Sequence, residues 1–264
     1  MTSLDVQVRA LLADVARQAI LPRFGLLADA EREEKSPGDW VTVADREAEA
    51  LLEAGLRAID PGARVIGEEA CALDPSLLDD IGTGRLWLVD PLDGTNNFAA
   101  GRMPFGMIVA LVEDGVVESG WLYDPVADRL CHATRDDGAF VDGVGISATG
   151  TGSALPVTTF SRYWMDAETS ARLEQRAGGI LELCPGMKCA AAQYPALTDG
   201  RYDAALFERV YPWDHAAGAL FVQEAGGKVA RLDGRPYRID DPATGLLAAA
   251  SPELWARAAA VFGS

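Results

Sequence analysis

Histidine and cysteine are scarce in this chain, two and four among 264 residues. Cys71, Cys131, Cys184 and Cys189 show no paired CxxC spacing, and Cys184 and Cys189 merely flank PGMK, so a zinc site is not expected. Buried free thiols in a reducing compartment are the simpler reading. Positive charge is scarce as well. The 23 Lys and Arg against 40 Asp and Glu leave a net charge of −17, which argues against nonspecific binding to nucleic acid or anionic membrane surfaces. No run of about 18 apolar residues offers a transmembrane helix. Met1 is followed by polar and charged residues, without the basic start and apolar core of a secretory signal. A cytoplasmic location with neither a nucleic-acid nor a membrane partner is expected.

What the chain does have is 49% hydrophobic and 24% charged residues, ordinary for a soluble globular protein, and a length that fits one large or two small domains. The stretch Trp87 to Gly101, WLVDPLDGTNNFAAG, carries the most information. Trp87, Leu88 and Val89 are an apolar run of strand type. Pro91 cannot donate to a ladder, so the strand is expected to end at Asp90 and DPLDG to form a tight turn. That turn holds two carboxylates, Asp90 and Asp93, with no Lys or Arg from Leu86 to Gly101. Close carboxylates repel, and one takes up a proton unless a cation lies between them; Mg²⁺ takes oxygen ligands of this kind. A surface turn in which Asp90 caps its own backbone explains the same residues.

Along the chain, Leu4, Val8, Leu11, Leu12, Val15 and Ala19 recur at helical spacing and predict an amphipathic helix over Ser3 to Leu27, kinked or tightened near its end by Pro22. AEREEKSPGDW reads as a polar loop. Thr42 to Ile59 predicts a second helix, with Asp45 in its first turn where the dipole favours a carboxylate. Arg64 to Ile66 reads as a short strand that delivers Glu68 and Glu69 just past Gly67. Strands are expected near Phe105–Val112 and Val116–Tyr123, joined by an Asp114-Gly115 hairpin turn, with further short β segments to Phe140. GVGISA at 143–148 fits a dinucleotide fingerprint formally, but TGTGS follows it where a helix is required, so it reads as a linker and not as a nucleotide site. The Gly/Ser/Thr-rich segment from Asp142 to Ser153 is the expected border of an N-terminal α+β lobe, residues 1–147, and a C-terminal α/β lobe, residues 148–264. In the second lobe, strands over Pro156–Phe160, Ile180–Leu183, Asp203–Phe207 and Lys228–Arg231 alternate with helices over Met165–Ala177, Lys188–Leu197 and Pro212–Ala225, and a helix from Pro252 to Phe262 follows.

Four segments, DWVTVADREAE, VIGEEA, WLVDPLDGTNNF and YPWDHAAGALFVQEAGGKV, resemble in sequence and order the motifs of the inositol monophosphatase family. These are Mg²⁺-dependent, lithium-sensitive phosphomonoesterases, and the resemblance spans nearly the whole chain. It implies the layered α-β-α-β-α sandwich of the inositol monophosphatase and fructose-1,6-bisphosphatase type, and a homodimer. It also implies two or three Mg²⁺ ions held by Glu68, Asp90, the Leu92 carbonyl, Asp93 and Asp214, with Asp45 in or beside that shell. Glu68 and Thr95 would take the proton of the attacking water, and the Gly94 and Thr95 N–H groups would hold the phosphate. Asp214 alone reads as an acid in a helix's first turn, and His215 as a packed residue without a catalytic part. No CxxxxxR loop and no RHG segment supports a covalent cysteine or histidine route.

Departures from the family pattern bear on the substrate. Its lysine five positions before the Asp of DxVT is here Glu34, with Lys35 one step late. The acid that contacts inositol hydroxyls stands one place off, at Glu208. The helix opening GSAA reads KCAA, so Lys188 replaces a small residue. A small phosphorylated substrate is therefore expected, with inositol 1-phosphate as the default and Asp93, Gly94, Thr95, Lys188, Glu208 and Asp214 as its contacts. Histidinol phosphate, fructose 1,6-bisphosphate and a 3′-phosphonucleotide remain open, as does a non-catalytic scaffold, which the full set of carboxylates disfavours.

Overall fold

The computed structural model describes residues 2–36, 38–160 and 166–263. Helix α1 (Ser3–Val15) starts at a capping box, in which the Thr2 hydroxyl accepts from the Asp5 N–H while the Asp5 carboxylate accepts from the Thr2 N–H. The helix expected over Ser3 to Leu27 runs without a break only to Arg23, and it tightens at Pro22 as expected. After Val15 the chain widens into a π turn at Ala16–Ile20 and tightens into a 3₁₀ turn at Leu21–Arg23, because Pro22 offers no N–H to an α ladder. The expected polar loop is instead a hairpin of β1 (Arg32–Ser36) and β2 (Asp39–Thr42), whose register slips between Glu34 and Ser36 and leaves Lys35 as the extra residue. Its charged strands carry none of the apolar alternation that marks a half-buried strand, so periodicity could not reveal it. Helix α2 (Val43–Ile59) follows, with Thr42 as its cap.

The first sheet begins with β3 (Arg64–Gly67), which leads into the short helix α3 (Glu68–Leu73). It continues with β4 (Arg85–Asp93), helix α4 (Thr95–Ala99), β5 (Gly106–Glu113), β6 (Val116–Asp124), β7 (Arg129–Thr134), β8 (Gly138–Val141) and β9 (Val144–Ile146). The seven strands lie in chain order, with β3 parallel to β4 and every later pair antiparallel. Asp114 and Gly115 both take left-handed φ, 48° and 77°, as the expected hairpin turn requires. Two expectations fail here. Strand β4 does not stop at Asp90: it passes Pro91 in a bulge, pairing Asp90 with Ile108 and then Asp93 with Gly106, so the proline's missing N–H falls where the ladder is open. The presumed linker contains β9, an edge strand paired with β8.

The second sheet contains β10 (Val157–Phe160), β11 (Glu182–Pro185), β12 (Ala204–Phe207), β13 (Lys228–Arg231) and β14 (Leu246–Ala249), in the order β11-β10-β12-β14-β13. Four helices accompany it: α5 (Ala167–Ala177), α6 (Ala190–Thr198), α7 (Pro212–Glu224) and α8 (Pro252–Phe262). Met165, the expected first residue of α5, lies outside the described residues. Helix α6 begins two residues later than expected, so Lys188 precedes it. Strand side chains alternate between faces, and that divides the core. Trp87, Val89, Met107, Val109 and Trp121 pack on α1 and α2, whereas Leu86, Leu88, Ile108, Ala110 and Leu122 pack on α6 and α7. The far side of α6 and α7 meets the second sheet through Ala205, Leu246 and Ala248, and α5 and α8 cover its outer face at Leu173, Ala177, Trp255 and Ala258. The result is the α-β-α-β-α sandwich. By the same alternation Asp90 follows Leu88 onto the face that meets α7.

Candidate active site

Glu68 is the first residue of α3, directly after β3. The start of that helix is capped from outside: both carboxylate oxygens of Glu49 in α2 accept backbone N–H bonds, from Glu69 and Ala70 at 2.8 Å each. Gly67 makes this possible, because a Cβ there would fall on the Glu49 carboxylate. The Lys35 ammonium bridges Glu68 Oε1 at 3.1 Å and Glu69 Oε1 at 2.6 Å. The sequence placed Lys35 one step late; the β1 bulge at that residue absorbs the step and brings the ammonium to the cleft. Burial pushes the Glu68 carboxyl up to about 7 despite Lys35, and the neighbouring Glu69 charge adds to the rise.

Asp45 lies in the first turn of α2, as expected, and its two oxygens serve different partners. Its Oδ2 accepts from the Thr42 N–H at 2.8 Å and the Thr42 hydroxyl at 2.5 Å, closing a capping box. Its Oδ1 lies 2.9 Å from the Thr95 hydroxyl, which also reaches the Leu92 carbonyl at 2.8 Å. Burial raises the Asp45 carboxyl to about 6, against the hydrogen bonds from Thr42. Thr95 opens the short helix α4, behind Gly94 at a left-handed φ of 82°.

Asp90 and Asp93 of β4 and Asp214 of α7 line the same cleft. Asp90 is buried, with Oδ1 accepting from the Leu92 N–H at 3.0 Å. Asp214, in the first turn of α7, is within hydrogen-bonding reach of the Asp90 carboxyl. Asp93 Oδ2 accepts from the Ala191 N–H at 2.6 Å, which ties β4 to α6. Burial raises all three carboxyls, and the charges of Glu68 and Asp93 add to it at both Asp90 and Asp214, while the Ala191 N–H and the Cys189 thiol temper it at Asp93. Among the described residues no three His, Cys, Asp or Glu side chains gather closely enough to form a ready-made ligand set. The carboxylates of the cleft are nonetheless crowded oxygen donors that resist ionisation together, and this is the chemistry a hard divalent cation relieves.

Glu68, Asp90, Asp93, Thr95 and Asp214 line a cavity of about 660 Å³, together with residues of the second sheet and its connections. Thr159, Phe160, Met187, Lys188, Gln193, Glu208 and Tyr211 lie along it, so the expected substrate-side residues Lys188 and Glu208 share the cavity with Asp93, Gly94, Thr95 and Asp214. Lys188 has a left-handed φ of 54°, a conformation that costs a lysine roughly 1–2 kcal/mol. The position is one that suits the glycine of the GSAA pattern. His215 lines the cavity but is fixed as structure: its Nδ1 lies 2.8 Å from the Tyr194 hydroxyl and its Nε2 2.9 Å from the Arg209 carbonyl. Burial lowers its pKa to about 4, which leaves it neutral.

Sequence reasoning missed Glu49 as the cap behind Glu68 and Arg209 as a cavity cation. Glu49 stood inside a quoted motif, DWVTVADREAE, but its target lies twenty positions on, beyond any local capping rule. Arg209, whose guanidinium lies 4.5 Å from the Tyr211 ring centroid, sits in an irregular connection that shows no periodicity.

Residues 3–263 match the family described as the inositol monophosphatase family. A histidinol-phosphatase of Mycobacterium tuberculosis is 33% identical over 236 residues, covering 87% of this chain and 88% of its own. An inositol-1-monophosphatase of Mesorhizobium japonicum is 29% identical over 246 residues, covering 90% and 88%. The crystal structure of the extragenic suppressor protein suhB from Bartonella henselae shares the fold with a TM-score of 0.85 at 23% identity, over 99% of this chain and 98% of that one.

Proposed function

The chain belongs to the inositol monophosphatase family and is a phosphoric monoester hydrolase, and on that footing we propose that it is a Mg²⁺-dependent phosphatase of small phosphate monoesters, acting by direct attack of water. The observation that carries the reading is that Glu68, Asp90, Asp93 and Asp214 line one cavity, with burial and the charges of their neighbours raising the Asp90 and Asp214 carboxyls. Those four carboxylates and the Leu92 carbonyl would hold two or three Mg²⁺ ions. When bound, the ions would supply Lewis-acid charge for the phosphate and lower the pKa of water.

The protein's own part follows from its hydrogen bonds. The Thr95 proton is committed to Asp45 Oδ1 or the Leu92 carbonyl, so a lone pair of Thr95 Oγ1 is left to orient a water. Glu68, held at the cleft by Lys35, would accept that water's proton. The Gly94 and Thr95 N–H groups, at the start of α4, would hold the phosphate oxygens. Asp214 and Glu208 would accept from hydroxyls of the substrate body.

Inositol 1-phosphate is the default substrate, and relatives named for inositol phosphate and for histidinol phosphate keep both in view. We place the border of the two lobes between β9 and β10, and we propose a homodimer sensitive to lithium. Phosphate release from a panel of monoesters, with millimolar Mg²⁺ or with EDTA, tests the reading. Turnover that needs Mg²⁺ supports it; turnover unchanged in EDTA, or none with any ester, overturns it.

A further inference from the structure

The backbone at Lys188 is imposed by its neighbours. Next to it the Met187 N–H donates to Gln193 Oε1 at 3.0 Å, and the Met187 carbonyl accepts from Asn97 Nδ2 at 3.1 Å. Beyond it the Ala191 N–H is held by Asp93 Oδ2 at 2.6 Å. A left-handed residue pinned on both flanks is a site for glycine, so the fold alone does not call for lysine. The lysine lines the cavity, and so does Arg209 from the β12–α7 connection, its guanidinium stacked on Tyr211. Glu208 lines the cavity too, the one acid among the described lining residues outside the carboxylate cluster. In a protein of net charge −17, two cations in a cavity that also holds the carboxylate cluster are a selective feature, because a neutral polyol gains little from them and an anion gains most.

We infer that Lys188 and Arg209 bind a second anionic group, phosphate or carboxylate, on the body of the substrate, so that the preferred substrate is a doubly anionic phosphomonoester. The inference rests on the phosphomonoesterase reading of the same site. It differs from a role for the two cations at the scissile phosphate, which every substrate shares: loss of such a role would weaken all esters alike, whereas loss of a distal contact changes their ratio.

The test compares fructose 1,6-bisphosphate, 3-phosphoglycerate and glycerol 2-phosphate with saturating Mg²⁺, in the wild-type protein and in Lys188→Gly, Lys188→Asn and Arg209→Gln. Gly and Asn both accept the left-handed backbone, so these variants remove the charge without adding strain. Wild type should favour one of the two doubly anionic esters in kcat/KM, and the better of them tells phosphate from carboxylate. In Lys188→Asn that preference over glycerol 2-phosphate should fall about tenfold, as expected for a lost charge-assisted hydrogen bond. It should also fade with added salt. Lys188→Gly should melt no lower than wild type. Wild type without preference, equal losses across all three esters, or a lower Tm for Lys188→Gly would overturn the inference while leaving the phosphatase reading standing. Absence of turnover with every ester would remove that reading and the inference with it.

Discussion

The Thr95 hydroxyl lies 2.9 Å from Asp45 Oδ1, a contact between residues fifty positions apart in the chain. It joins the cap of α2 to the start of α4, so one carboxylate both caps the start of a helix and fixes the hydroxyl that faces the cleft. Replacing Thr95 by Ala removes the oriented lone pair without disturbing the capping box, which uses the other Asp45 oxygen. Thr95→Ala should lower kcat by about a hundredfold, in the range of a lost proton-transfer partner, with the melting temperature nearly kept. Steady-state kinetics beside a thermal melt check this; a kcat within threefold of wild type would remove Thr95 from the mechanism.

Asp90→Asn should abolish turnover and yet raise stability in the absence of metal. The substitution keeps the shape of the side chain while taking one charge out of a cluster in which Glu68, Asp93 and Asp214 all push the Asp90 carboxyl up. In EDTA the variant should melt above wild type; with millimolar Mg²⁺ the order should reverse, because wild type alone gains from binding. Parallel melts in the two buffers decide it.

The metal-free protein should lose stability as pH rises from 6.5 to 8. Glu68, near 7, has a carboxyl pKa raised by folding into this window, and Asp90, Asp93 and Asp214 are raised as well, whereas Asp45, near 6, is largely ionised before the window begins. A raised group binds more protons in the folded state, so its stabilising contribution is complete at low pH and is lost as pH rises through the folded pKa. His132 and His215 act in the opposite direction, since burial lowers both, but their contribution is complete above the ordinary histidine value. The window from pH 6.5 upward therefore isolates the carboxylates. Melting curves in EDTA should shift down across it, and Mg²⁺ should flatten the trend; a flat profile in EDTA would show that the cluster carries no such repulsion.

Lys35 bridges Glu68 and Glu69 with little exposure, 20% for its own side chain and 10% for Glu69. Lys35→Met keeps the length of the side chain and removes the charge. Breaking a buried pair costs roughly 3–5 kcal/mol when the remaining charge cannot escape. Here Glu68 can take up a proton, so the expected loss is smaller, about 1–2 kcal/mol at neutral pH, and smaller again at pH 5. Denaturant melts at the two pH values measure the difference; an equal loss at both would contradict protonation of Glu68.

Much of this fold could be read from the chain because its signals are local. The apolar period of α1 and α2, the Asp114-Gly115 turn and the Pro212 start of α7 each lie within a few residues of the structure they specify. What escaped notice depends on partners far away. Strand β4 survives Pro91 only because β5 pairs around a bulge, and Lys35 reaches Glu68 only because β1 bulges at that residue. Two local rules, proline as a strand terminator and spacing from a motif, were each outweighed by pairing with another strand. Glu49 shows the same limit, a helix cap supplied by a different helix.

Gly67→Ala should therefore damage the site without touching any group that meets substrate. An added Cβ falls on the Glu49 carboxylate, which must swing away and release the N–H groups of Glu69 and Ala70. Those donors sit at the start of α3, where Glu68 projects into the cleft, and leaving them without a partner costs about 1–3 kcal/mol. Alanine itself suits the backbone there, at φ −105°, so the loss comes through Glu49 and not through strain. Glu49→Ala removes the same cap by another route. If the two changes act through one interaction, the double variant should be scarcely worse than either single one, in stability and in kcat alike. Additive losses in the double-mutant cycle would mean that Gly67 and Glu49 act separately, and the capping account of how Glu68 is placed would fall.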